Sequence, residues 1–264
     1  LDDNADILNG SIEFEKQDLL KLSLDKMRNI SGTKLSIIFQ DPMSTLNPVL
    51  SIGRQMIDIQ YRDKISKKRK KQRSIDMLTK VGIPDPRNQL NQYPYELSGG
   101  MQQRVSIAMA LQAGPSLLIA DEPTTALDTT LEVQILKLLK ELQEEMGCSI
   151  LFVSHHLGVI AELCDHVVVM YAGEIVEQGS TYEIFNNPAH PYTVKLLECD
   201  PASISKKQNL LPTIPGEIPD LINLSGGCIF KNRCDQSIER CDKVTPILNK
   251  FDTHHFVSCH LIES

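Results

Sequence analysis

Short apolar runs alternate with longer stretches of helical spacing through the first two-thirds of the chain. Runs at residues 11–14, 35–39, 117–120, 149–153 and 166–170 predict strands, since each is brief, apolar and closed by polar, Gly or Pro residues. Between them, apolar residues three and four apart predict helices over 19–30, 98–112, 131–146 and 157–164. From 41 to about 90 the pattern is helical, with breaks at Pro42, Pro48, Pro84 and Pro86. Buried strands alternating with helices predict an α/β fold, a mainly parallel sheet covered on both faces. Ligands on such sheets sit at the carboxyl ends of the strands. Past residue 177 the pattern changes to a loop-rich tail punctuated by Pro188, Pro191, Pro201, Pro212, Pro215 and Pro219. The expected division is therefore one domain over 1–186, with a helical subdomain at about 42–112, and an extension over 187–264.

Composition narrows the class. The chain has 264 residues, 41% hydrophobic and 23% charged, as in ordinary globular proteins. Its formal charge of -7 argues against nucleic acid as a partner, because phosphate binding needs a basic surface. The basic run at 66–73 is read as the solvated face of a helix, since Ile75, Leu78 and Val81 follow at near-helical spacing. No apolar run reaches the length that crosses a bilayer, and the acidic first residues do not have the pattern of a signal peptide. Seven Cys without export signals suggest reduced thiols or metal ligands; Cys148, Cys164 and Cys199 are scattered and read as core or incidental.

Two segments carry chemistry. In Leu117-Leu-Ile-Ala-Asp-Glu-Pro-Thr-Thr-Ala-Leu-Asp128 an apolar strand ends in two adjacent carboxylates. In nucleotide hydrolases such an Asp holds Mg²⁺ over the phosphates, and the next carboxylate can polarise an attacking water. In Leu97-Ser-Gly-Gly-Met-Gln-Gln-Arg104, Ser98 is a good N-cap, and Gly99 and Gly100 leave backbone N–H groups free at a helix start. Free donors at the positive end of the helix dipole make an anion site.

These segments resemble the ABC ATPase family: residues 97–104 its signature motif, 117–122 its Walker B strand with the catalytic Glu, and 125–128 its D-loop. Phe39-Gln40 is similar to the Q-loop, and Phe152-Val-Ser-His155 to the switch strand, although His155 is followed by His156 where the family usually has Asp. The resemblance implies an ABC-type nucleotide-binding domain using ATP and Mg²⁺. By it, Asp121 and Gln40 hold Mg²⁺, Glu122 activates water, and Gln40 and His155 sense the γ-phosphate. Ser98, Gly99, Gly100 and Gln102 contact a partner subunit's ATP, and Asp128 aligns the two halves. Phe39-Gln-Asp-Pro-Met-Ser-Thr-Leu-Asn-Pro48, Gln92-Tyr-Pro-Tyr-Glu-Leu-Ser-Gly-Gly100 and Asn187-Pro-Ala-His-Pro-Tyr-Thr193 are similar to the oligopeptide and dipeptide importers. Nickel importers share much of that pattern. Implied partners are a second ATPase subunit, two transmembrane permease subunits and, indirectly, an extracytoplasmic peptide-binding protein, which places the chain at the cytoplasmic face of the membrane. No Gly-x-x-x-x-Gly-Lys-[Ser/Thr] occurs in the sequence, which suggests a chain truncated ahead of residue 1 and inactive alone. A non-catalytic remnant or half-site partner is the rival reading, and a soluble ABC ATPase a third.

The tail gathers Cys228, Cys234, Cys241 and Cys259. Four thiolates suffice for a tetrahedral Zn²⁺ or a cubane iron–sulfur cluster, and the spacing does not separate the two. The peptide-importer resemblance implies a [4Fe–4S] cluster here, with His254, His255 and His260 secondary.

Overall fold

The computed structural model describes residues 5–41, 45–124, 127–201, 212–222, 224 and 226–262. It divides into two compact units, Leu1–Val153 and Ser154–Ser264. Residues 42–44 of the Gln40 loop and Thr125 and Ala126 of the D-loop match lie outside the described residues.

The first unit begins with a small antiparallel pair, β1 (Glu13–Phe14) and β2 (Gln17–Asp18), and a helix α1 (Leu24–Ile30). A single helix over 19–30 is not formed: a 3-10 turn at Leu19–Lys21 ends at Leu22, and the hydroxyl of Ser23 caps a fresh start. Ser and Thr favour such starts because their oxygen accepts an otherwise orphaned N–H. Strands β3 (Leu35–Ile38), β4 (Leu117–Asp121) and β5 (Ser149–Val153) form a parallel sheet in that order. Leu35 stands beside Leu117 and Leu117 beside Ser149, so all three strands end along one edge.

Side chains alternate across this sheet. Ile38, Leu118 and Ala120 are fully or almost fully buried. Ile38 and Leu118 share a core with Val105, Ile107 and Leu111 of α5 (Gly99–Leu111) and with Ile135, Leu139 and Leu142 of α6 (Thr129–Met146). The opposite face was expected to be covered as well. Instead Ile37, Leu151 and Val153 are 38%, 54% and 45% exposed, because the helices that pack on this sheet gather on the other side. Between β3 and α5 lie α2 (Ile52–Asp58), α3 (Lys67–Lys80) and the short α4 (Pro86–Gln89), the expected helical stretch. The basic residues of α3 at 67–69 are exposed, while Ile75 and Leu78 are buried, as its spacing predicts.

In the second unit, α7 (Leu157–Leu163) precedes β6 (His166–Tyr171). The run 166–170, read with the parallel series, pairs antiparallel with β7 (Glu174–Ser180). Val167 and Val169 are buried but Val168 and Met170 are exposed, so the continuous apolar run covers only one face. The tail is more ordered than its prolines predict. It holds α8 (Thr181–Asn186), α9 (Pro191–Glu198), α10 (Glu239–Lys243), β8 (Asn249–Asp252) and β9 (His255–Val257), with sheet order β6-β7-β9-β8. Pro191 opens α9 instead of interrupting it: at the first helical position its missing N–H costs nothing. Tyr171, Tyr192 and Phe230 pack ring to ring at 4.8–5.4 Å between centroids in this unit's core.

Candidate functional site

Carboxylates and amides meet where the parallel strands end. Asp121 is the exposed last residue of β4. Glu122 follows with φ +43°, a left-handed conformation uncommon for a side-chain-bearing residue, and its N–H donates to the Val153 carbonyl at 2.9 Å. Gln40, two residues beyond β3, donates its Nε2 proton to Glu122 Oε2 at 2.9 Å. Two residues 82 apart in sequence, picked out separately by motif, are thus in contact.

Helix α5 begins at the same unit's second anion-seeking feature. Ser98 is in extended conformation and its hydroxyl accepts from the Met101 N–H at 3.4 Å. Ser98 and Gly99 are exposed, whereas Gly100 is buried against α6, where a Cβ would lie 2.9 Å from a methyl of Leu131. A larger residue there would have to push the Leu131 side chain aside. Gln102 faces inward and donates to the carbonyls of Pro94 and Leu97 at 2.9 and 3.2 Å, bracing the turn ahead of the helix. Asp128 caps α6, its Oδ1 accepting from the N–H groups of Thr130 and Leu131 at 3.0 Å.

Two polar residues with no distinguishing mark in the sequence also belong to this region. Gln103 is buried and donates to the carbonyl of Pro123, directly after Glu122. Thr124 is buried and donates to Glu132 Oε1 of α6 at 2.9 Å. Gln103 falls inside the signature match and Thr124 between the Walker B and D-loop matches, and only that placement could have singled them out.

His155 falls in the second unit, between β5 and α7, with its ring edge-on to that of His156 at 4.4 Å. Further along, the four clustered cysteines line one small cavity of about 10 Å³ with Phe230 and His260. None of the four is in a disulfide. Burial pushes the thiols of Cys228 and Cys234 upward, away from thiolate, and the neighbouring thiols add to this. Cys228 donates its N–H to the Cys241 carbonyl at 2.8 Å. Gly227 permits this contact: its φ is +103°, and a Cβ there would lie 2.3 Å from the same oxygen. The cavity has room for about one water-sized body, so the donor set suits a four-thiolate centre but a cubane would require the thiols to spread. Among the described residues, no group of three or more His, Cys, Asp or Glu is already arranged to hold a metal ion.

The second unit's most buried charge lies on β7. Glu177 is fully buried, accepts from the N–H groups of Ala189 and His190 at 2.8 and 3.0 Å, and contacts His255 Nε2 at 2.6 Å. Burial pushes the His190 imidazole down to about 4, consistent with its Nδ1 accepting from the Tyr192 N–H.

Known proteins share this organisation. Residues 3–125 match the ABC transporter family, and residues 176–241 match the oligopeptide/dipeptide transporter C-terminal region. The chain is 47% identical over 254 residues to the oligopeptide transport ATP-binding protein of Bacillus subtilis, covering 96% of this chain and 71% of that one. It is 44% identical over 256 residues to a probable peptide ABC transporter ATP-binding protein of Sinorhizobium fredii, covering 97% and 76%. Among solved structures, a dimeric ATP-binding cassette in a post-hydrolysis state with ADP and Pi is similar, with TM-score 0.59, 28% identity, and 66% and 74% of the two chains covered. The chain belongs to the ABC transporter family, in the oligopeptide/dipeptide branch of its ATP-binding subunits. Its ATPase fold is that of a nucleotide-binding domain, and no helix among the described residues is long and apolar enough to cross a membrane.

Proposed function

We propose that the chain supplies the hydrolytic and signature elements of an ATPase that powers import of oligopeptides or dipeptides from the cytoplasmic face of the membrane. The contact between Gln40 and Glu122 at the ends of β3 and β4 carries this reading, because it joins the residue that would sense nucleotide to the one that would activate water. The relatives, a probable peptide transporter subunit and an oligopeptide transporter subunit, support peptides as cargo. Mg²⁺ at Asp121 and Gln40 would neutralise phosphate charge. Glu122 takes the proton of the attacking water, and His155 faces the γ-phosphate. Ser98, Gly99 and Gly100 close on the ATP of a second ATPase subunit, with Gln102 holding the preceding turn and Asp128 aligning the pair. Two permease subunits complete the machine, served by a peptide-binding protein outside.

In the assembled transporter, Glu122→Gln should keep ATP binding and slow turnover on the order of 10²-fold. Steady-state hydrolysis at the unsubstituted rate would remove Glu122 from the role. For the tail, the gathering of Cys228, Cys234, Cys241 and Cys259 around one cavity supports a thiolate-held centre, [4Fe–4S] or else Zn²⁺, acting as a staple. Metal analysis after anaerobic purification should find about four irons per chain. One zinc would replace the cluster, and neither metal would end the proposal.

A further inference from the structure

The signature helix and the hydrolytic carboxylate are joined through one buried side chain. Gln103 lies on α5, five residues after Ser98, which is about 7.5 Å along the helix axis. It is 1% exposed, and its amide donates to the carbonyl of Pro123. Pro123 has no N–H, so this carbonyl is its sole backbone hydrogen-bonding group, and it immediately follows Glu122. The same flank is held at two further points. Gly100 packs against Leu131 of α6, and Thr124 is bonded to Glu132 in that helix's first turn.

We propose that Gln103 is a positioning residue that transmits closure of the signature helix on a partner subunit's ATP to the Glu122 that acts on this subunit's own ATP. The proposal rests on the assignment of Ser98 and Gly100 to a partner's nucleotide. In mechanical terms, α5 has little freedom to shift towards a phosphate without drawing the Pro123 carbonyl with it. Glu122, one residue away, stands in a left-handed conformation fixed on its other side by the Val153 carbonyl. A displacement of Pro123 therefore reorients the Glu122 carboxylate.

Packing alone does not explain a glutamine at this position. Its Oε1 is buried with no hydrogen-bond partner among the described residues. An unpaired buried acceptor is a cost that a nonpolar side chain of equal length would not carry. A methionine would fill the same space without that cost, but would leave the Pro123 carbonyl without this donor. What glutamine adds is the directed bond to Pro123.

The experiment compares Gln103→Met with the unsubstituted subunit in the assembled transporter in proteoliposomes, reading ATP turnover against ATP concentration and the unfolding midpoint. The expected result is kcat lowered on the order of tenfold, the size of a typical coupling between sites. KM should stay within about twofold and the Hill coefficient fall towards one. The unfolding midpoint should move little, because the relieved Gln103 Oε1 offsets the Pro123 carbonyl left without this donor. Unchanged kcat and Hill coefficient would overturn the proposal, as would a loss of kcat matched by a lower midpoint, which assigns Gln103 to folding. In parallel, Ser98→Glu places a like charge where the partner's phosphates would sit and should abolish turnover. Full turnover in that variant would overturn the signature assignment and the coupling together; abolished turnover with normal Gln103→Met kinetics would overturn the coupling alone.

Discussion

The parallel sheet of the first unit and the antiparallel sheet of the second place their polar groups in opposite ways. In β3, β4 and β5 the most buried positions are Ile38, Leu118 and Ala120, and the carboxylates wait at the strand ends, beyond the core. In β7 the most buried position is itself a carboxylate, Glu177, tied to His255 of β9 and to the N–H groups of Ala189 and His190. The first arrangement leaves its acids within reach of solvent and ligand. The second uses an acid to hold together chain segments far apart in sequence. A carboxylate in this molecule stands open to ligand where the first sheet ends and serves architecture where the second sheet is deepest.

Removing the buried acid should produce the largest effect. Glu177→Leu leaves His255 and two backbone N–H groups buried without their partner, and should destabilise the second unit by about 3–5 kcal/mol. Denaturant unfolding followed by hydrogen exchange resolves the unit affected. A loss confined to the first unit would break the comparison. Leu118→Ala tests the opposite case, an apolar core position of β4, and should cost about 3 kcal/mol through lost burial and a residual cavity. An undisturbed midpoint there would mean that the sheet core does not carry the first unit.

The smallest effect depends on pH. The backbone N–H of Ser180 and then its hydroxyl hydrogen-bond Glu183 and hold its carboxyl below the ordinary value of 4.5. Because the folded group titrates lower than the unfolded one, its contribution is present above pH 4.5 and fades as pH falls through the folded value. Glu183→Gln should flatten the acid limb of a stability–pH curve for the second unit. A limb of unchanged steepness would remove Glu183 as a contributor.

The same contrast explains what could be read before folding. β4, β5, α5 and α6 follow from apolar spacing and from caps such as Ser98 and Asp128, because a hydrophobic core imposes its period on the sequence. The expected Asp121, Glu122 and Gln40 do come to one sheet edge, since parallel strands in register end together. β7, β8 and β9 were hidden. Asn249–Asp252 has a single apolar residue, Phe251, and Glu177 looks like surface until His255 arrives from 78 residues away. Pro191 was read as punctuation when it opens a helix. Gln103 and Thr124 had no period to betray them, because their partners are a carbonyl and an acid from other segments.

The left-handed turn at Glu122 has a consequence for any search that rewards robustness. Glycine has no Cβ to strain at φ +43°, and asparagine tolerates that region better than glutamate does. Either should relax the backbone there, yet neither has a carboxylate to take a proton from water. Selection for thermal tolerance alone would therefore drift away from the carboxylate to which the proposed hydrolysis is assigned. On the proposed role, glutamate at 122 is a residue that only a demand for work keeps in place.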